Sequence, residues 1–157
     1  MKKKILIIIQ VILACFILME VYKEITGNKI LSVSRKIGTN ISGSEIMESY
    51  ETHGGFHNDG VTYYKIYLKN PIEVDDRWQT LPLDETMRDF ICSDGTYYGN
   101  IPRCPYINNG YYLLIDRNLE EDETSSSETI FERGSYNFII VVYSSAEGIL
   151  YYYKFDT

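Results

Sequence analysis

Ile5 to Tyr22 reads ILIIIQVILACFILMEVY, a run of 18 residues in which only Gln10 and Glu20 are strongly polar. Few environments accept such a run. As a helix it reaches about 27 Å, close to the ~30 Å hydrocarbon core of a bilayer. Inside a soluble fold it would need apolar cover on every side, and the rest of the chain offers no matching segment. Residues 5–22 are therefore read as a transmembrane helix. Lys2, Lys3 and Lys4 precede it, and positive residues stay on the cytoplasmic side. A single-pass protein follows from this, with a cytoplasmic tip at residues 1–4 and everything after Tyr22 outside the cell membrane. Two alternatives are a cleaved signal and a lipoprotein. Ile25-Thr26-Gly27 is a poor cleavage site. Cys15 follows Leu13-Ala14, but the apolar residues after it argue against processing there.

The charge is split along the chain. From Lys23 onward there are 12 basic and 21 acidic residues, a net of −9. Nucleic-acid binding needs clustered Lys and Arg, so this composition argues against nucleic acid as a partner. It also argues against attraction to anionic lipid. A protein or cell-wall partner is easier to accommodate. The chain has 15 tyrosines, 14 of them beyond Tyr22. Tyrosine favours half-buried strands, with an oily face and a wet tip. A sugar or peptide platform is the functional alternative for these residues.

The remaining length suits one domain. Residues 23–44 read as a juxtamembrane helix and linker. Asn28 is the expected cap of a helix to Ile37, and Gly38 its stop. Residues 45–157 read as an extracytoplasmic α+β domain. Strands are expected at Glu45–Thr52, Val61–Lys69, Tyr111–Asp116, Tyr136–Tyr143 and Ile149–Phe155. In the second, Thr62, Tyr64, Ile66 and Leu68 point one way, and Tyr63, Lys65, Tyr67 and Lys69 form a wet face. The strand from Tyr136 is apolar on both faces, as a central strand is. Asn70-Pro71-Ile72-Glu73 has the form of a helix start, with Val74 and Trp78 on one face. A second helix carries Met87, Phe90 and Ile91. Leu119 to Glu128 is acidic and serine-rich, a loop. The expected fold is an antiparallel sheet of about five strands with short helices on one face.

Thr52-His53-Gly54-Gly55-Phe56-His57-Asn58-Asp59-Gly60 follows the first strand. This T-H-G-G-F-x-x-D-G pattern resembles a family of small uncharacterised membrane-anchored proteins of Gram-positive bacteria. The resemblance extends to Trp78 with Leu81-Pro82-Leu83, to Asn109-Gly110-Tyr111-Tyr112 with Ile115-Asp116-Arg117, and to Leu150-Tyr151-Tyr152-Tyr153. It implies the same topology and address, and it implies no activity.

The same loop is the first candidate site. His53, His57 and Asp59 are metal-ligand types, and both histidines of the chain are here. His53, Gly54, Gly55, Phe56, His57 and Asp59 form a candidate ligand or partner loop. The competing reading is a glycine-shaped strand connection with Phe56 in the core. Cys92 and Cys104 form a candidate disulfide, since disulfides persist outside the cytoplasm. The alternative is two separately buried thiols. Asp75-Asp76 and the acidic run from Glu120 to Glu123 read as solvated charge. No phosphate loop, Ser-His-Asp signature, CxxC or cofactor motif is present, so no catalytic residue and no cofactor is assigned. The leading reading is a non-enzymatic interaction module at the cell envelope. The alternatives are a small envelope enzyme or metal-dependent protein using His53, His57 and Asp59, and an immunity or accessory protein for a secreted factor.

Overall fold

The structure, a computed structural model, describes residues 2–53, 59–93, 101–119 and 125–157, with side chains from Ile7 onward. Its first element is one helix, α1, Lys2–Ile37. The expected break at Asn28 is absent: the helix expected to end at Ile37 continues the apolar segment without interruption. Thr26, Gly27 and Asn28 are all weak helix formers, glycine costing about 1 kcal/mol, and the packing of Ile30, Val33 and Ile37 on the sheet offsets that cost. The stop is where the sequence placed it. Gly38 turns out of the helix at φ +69°, and the Arg77 guanidinium donates to the Ile37 carbonyl at 3.0 Å. A cation at this end of a helix meets the negative pole of its dipole.

Six strands follow: β1 Glu45–Glu51, β2 Gly60–Tyr67, β3 Gln79–Thr80, β4 Gly110–Asp116, β5 Phe138–Ser144 and β6 Ile149–Asp156. Their order in the sheet is β1-β2-β6-β5-β4-β3, with every pairing antiparallel. The expected strands are all present. The two-residue edge strand β3 is an addition, too short to show a period. Two short helices complete the fold, α2 Glu85–Cys92 and α3 Ser127–Arg133. Asp84 caps α2 by accepting from the Met87 amide, and Ser126 caps α3 by accepting from that of Thr129. α3 begins inside the stretch read as a loop to Glu128. Residues 120–124 of that stretch lie outside the described residues.

Two expectations are corrected. The first is the helix from Pro71. Residues 71–75 run without helical structure to a turn in which the Trp78 amide reaches the Asp75 carbonyl at 3.1 Å. Val74 and Trp78 do join the same apolar layer, but a turn brings them there. The Asp75 side chain accepts from the Arg77 amide at 3.0 Å, a local bond that competes with helix.

The second correction concerns the sheet's faces, because helices cover both. The last turns of α1 place Ile30, Val33 and Ile37 against Tyr64, Ile66, Val141 and Tyr152. On the opposite face, Met87, Ile91 and Ile130 of α2 and α3 pack over Tyr63, Phe138, Tyr153 and Phe155. β5 is accordingly buried at all seven positions. Tyr63, assigned to a wet face, is 1% exposed, and only the Tyr67–Lys69 end of that face is open. Tyr63 lies beneath the layer that holds Cys104, Met87 and Tyr153. Most of the described tyrosines thus pack into or against the two apolar layers. Tyr64 stacks on Tyr152 at 5.9 Å, and Tyr63 meets Tyr153 at 4.9 Å, on opposite faces of the sheet.

Among the described residues, no helical stretch is long and apolar enough to cross a membrane. Counted from Ile7, a span of 18 residues takes in Glu20, Lys23 and Glu24, whereas the run read from sequence begins at Ile5. The described apolar side chains of this part of α1 have no protein cover: Ile8 is 57% exposed, Ile12 63%, Phe16 57% and Leu18 68%.

Candidate functional site

β1 and β2 form a hairpin, and their junction decides where His53 lies. The Thr52 amide donates to the Val61 carbonyl at 2.9 Å, and the Val61 amide returns a bond to the Thr52 hydroxyl at 3.1 Å. Gly60 fits this closure because it lacks a Cβ. One built there would stand 2.0 Å from the Thr52 carbonyl oxygen and 2.9 Å from the His53 Cα. Gly60 is therefore the described glycine on which this junction depends. Gly54, Gly55, Phe56 and His57 lie outside the described residues, and Asp59 is exposed.

His53 turns inward. Its Nε2 lies 2.7 Å from the Thr62 hydroxyl, and its Nδ1 lies 4.0 Å from Asp156 Oδ2. Asp156 stands at the end of β6 because β2 and β6 pair with Gly60 opposite Asp156 and Thr62 opposite Lys154. Both Arg117 and Lys154 donate to the Asp156 carboxylate. Burial works to raise its pKa, but those bonds outweigh it and hold the carboxyl below the usual range. Hydrogen bonds from Lys29, at 2.7 Å, and the Tyr64 hydroxyl, at 2.5 Å, hold Glu51 low as well.

Hydroxyl, imidazole and carboxylate in this order suggest a nucleophile–base relay. The geometry opposes it. A separation of 4.0 Å is too long for a hydrogen bond from Nδ1, and Asp156 is already held by two cations. Thr62 is 8% exposed and sits within a strand. The cluster is better suited to fixing the ends of β1, β2 and β6. Among the described residues, no three His, Cys, Asp or Glu side chains are placed to hold a metal.

The cluster borders a groove of about 390 Å3 between α1 and the sheet. α1 contributes Lys29, Ser32 and Lys36, and the sheet contributes Thr62, Tyr152 and Lys154. Sequence reasoning missed this place. One signal was available: Lys29, Ser32 and Lys36 recur at helical spacing beside the buried Val33. The partners on β2 and β6 lie too far along the chain for any local pattern to join them.

The two buried cysteines do meet. Residues Cys92 and Cys104 are free thiols in hydrogen-bond contact. Donation from Cys104 lowers the Cys92 pKa, while the same bond and burial push Cys104 well up. The Cys104 amide also donates to the Ile91 carbonyl at 3.0 Å, tying the segment to α2. Treating the purified chain with glutathione disulfide is expected to join them, two reduced glutathiones leaving for each bridge formed. The bridge should add about 2.5–3 kcal/mol of stability. Alkylation of the treated, unfolded chain with mass measurement checks it: two alkyl groups across Cys92 and Cys104 would reject the bridge.

No protein-family model, no curated protein and no solved structure matches this chain.

Proposed function

We propose that the chain is a membrane-tethered, non-enzymatic interaction module, held by residues 5–22 with its acidic α+β domain outside the cell membrane. The observation that carries this reading is the apolar part of α1. Its side chains are exposed around the whole helix, as at Ile8, Ile12, Phe16 and Leu18, while the last turns of the same helix are built into the domain. Water strongly disfavours so much contiguous apolar surface, and lipid would accept it. The lysines at positions 2–4 favour an inside N-terminus, as in the family that the T-H-G-G-F-x-x-D-G loop resembles. The cluster of His53, Thr62 and Asp156 lends no support to catalysis, because its hydrogen bonds are used within the fold. A protein or a cell-wall component is the partner class that a domain of net −9 accommodates.

A cysteine at the exposed Glu128 tests the address. Intact cells producing Glu128→Cys are expected to take up an impermeant maleimide, and cells producing the native chain are not, since Cys92 and Cys104 are buried and Cys15 would lie within the bilayer. Labelling that requires lysis would put the domain inside and overturn the reading.

A further inference from the structure

We infer that the groove between α1 and the sheet is an oxyanion site, built for a soluble phosphate-bearing ligand held by Lys36, Lys154 and the Tyr152 hydroxyl. The inference rests on reading the outer domain as a binding module, and it names the ligand class.

Charge is the first ground. Lys29, Lys36 and Lys154 line the groove, and Arg117 stands beside it on the Asp156 carboxylate. Among the described residues, two carboxylates answer these four cations: Glu51 pairs with Lys29, and Asp156 is shared by Lys154 and Arg117. A local surplus of positive charge therefore sits in a domain whose net charge is strongly negative. Lys36 makes no ion pair among the described residues. Partial desolvation where it lines the groove, then the fields of Lys154 and Arg117, lower the pKa of this exposed residue, and a bound anion would offset both.

The unused hydroxyl is the second and independent ground. Tyr152 is 1% exposed, and its hydroxyl has no hydrogen-bond partner among the described residues. By contrast, the neighbouring Tyr64 hydroxyl is satisfied by Glu51. A buried unpaired hydroxyl is costly and rare in folded proteins. Tyr152 lines the groove with Ser32, so a ligand oxygen would meet hydroxyl donors as well as ammonium groups. Charge-assisted bonds of this kind are the strong ones.

Helix geometry chooses the source of the anion. Along α1, Lys29 is about 10 Å beyond Tyr22 and Lys36 about 21 Å. The headgroup layer extends only about 5–8 Å past the hydrocarbon. The groove begins at Ile25, inside that layer, but Lys29 and Lys36 both stand beyond it, which favours a soluble ligand over the phosphate of a bilayer lipid.

Calorimetric titration of the full chain in a neutral detergent, with inorganic phosphate and then pyrophosphate, tests the site. Saturable binding is expected, tighter for pyrophosphate. Lys36→Gln and Tyr152→Phe should each weaken it about tenfold, the loss of one charge-assisted or buried bond. Lys36 is exposed and Phe keeps the ring, so both variants should fold, as a thermal melt would verify. Binding that neither variant alters, or no saturable binding, overturns the site. The titration repeated in phosphatidylcholine vesicles, with and without phosphatidylglycerol, separates the sources. Unchanged pyrophosphate affinity supports a soluble ligand, and competition by phosphatidylglycerol overturns that choice in favour of lipid. A chain that labels from outside but binds no pyrophosphate loses the groove and keeps the tether. One that binds but labels only after lysis loses the address and keeps the groove.

Discussion

Gly60→Ala is expected to cost about 3 kcal/mol or more, one of the largest effects of any single methyl in this chain. The added carbon would stand 2.0 Å from the Thr52 carbonyl oxygen and 2.6 Å from its carbon. Both are backbone atoms, and no side chain can rotate to make room. The hairpin must open where β1 ends, breaking the bonds between Thr52 and Val61. Opening it moves His53 away from Thr62, so the damage reaches the border of the groove. The melting temperature should fall by roughly 10 °C. Gly27→Ala is the control, since a Cβ there meets nothing within 4 Å. It should stabilise α1 by about 0.5–1 kcal/mol, through lower chain entropy and better helix propensity. Chemical denaturation of both variants would decide the matter. A Gly60→Ala midpoint equal to that of the native chain would mean that the two backbones do not approach this closely.

Phe138→Ala should be costlier still, about 3–5 kcal/mol. Phe138 is fully buried in β5 and stacks on Phe155 at 4.7 Å. Phe90 of α2 and Phe131 of α3 reach it at 5.9 Å and 6.3 Å. One ring therefore joins both short helices to the sheet. Removing it leaves a cavity that rigid strands cannot close, and it forfeits the ring contacts with three elements at once. Phe138→Leu retains most of the volume and should cost under about 1.5 kcal/mol. Urea titration separates the two, with unchanged slopes expected for a change in stability alone. Equal losses for Ala and Leu would show that the ring fills no space the core depends on. A change in slope for Ala would instead place part of the effect in the compactness of one of the two states.

Much of the sheet was legible because strands write their own period. β2 alternates, β5 is apolar throughout, and the chain turns at Gly148, where φ is +63°. The stop at Gly38 was legible for the same local reason, since a left-handed residue after a helix calls for glycine. The misread helix from Pro71 shows the limit of such signals. Its cap residues were right in type, but the segment is too short to propagate, and the bond from Asp75 to the Arg77 amide favours a turn. β3 had no local mark at all, because two residues show no period and Gln79 and Thr80 are strand only by pairing with Tyr112 and Tyr111.

By itself the sequence determined most of the elements, the apolar run at its start, the negative charge of the residues after it and the isolation of its histidines in one loop. These follow from composition and from neighbours a few residues apart. Which face α1 covers was decided only by the tertiary structure, which also buried Tyr63 and brought Cys92 to Cys104. The groove was likewise settled there. Lys36 lies on a helix, and Thr62 and Lys154 lie on strands opposite each other in the sheet. Their meeting depends on the register of β2 against β6 and on the packing of Val33 beneath them. Such pairings join residues far apart in the chain, and their free energy appears only when the sheet closes.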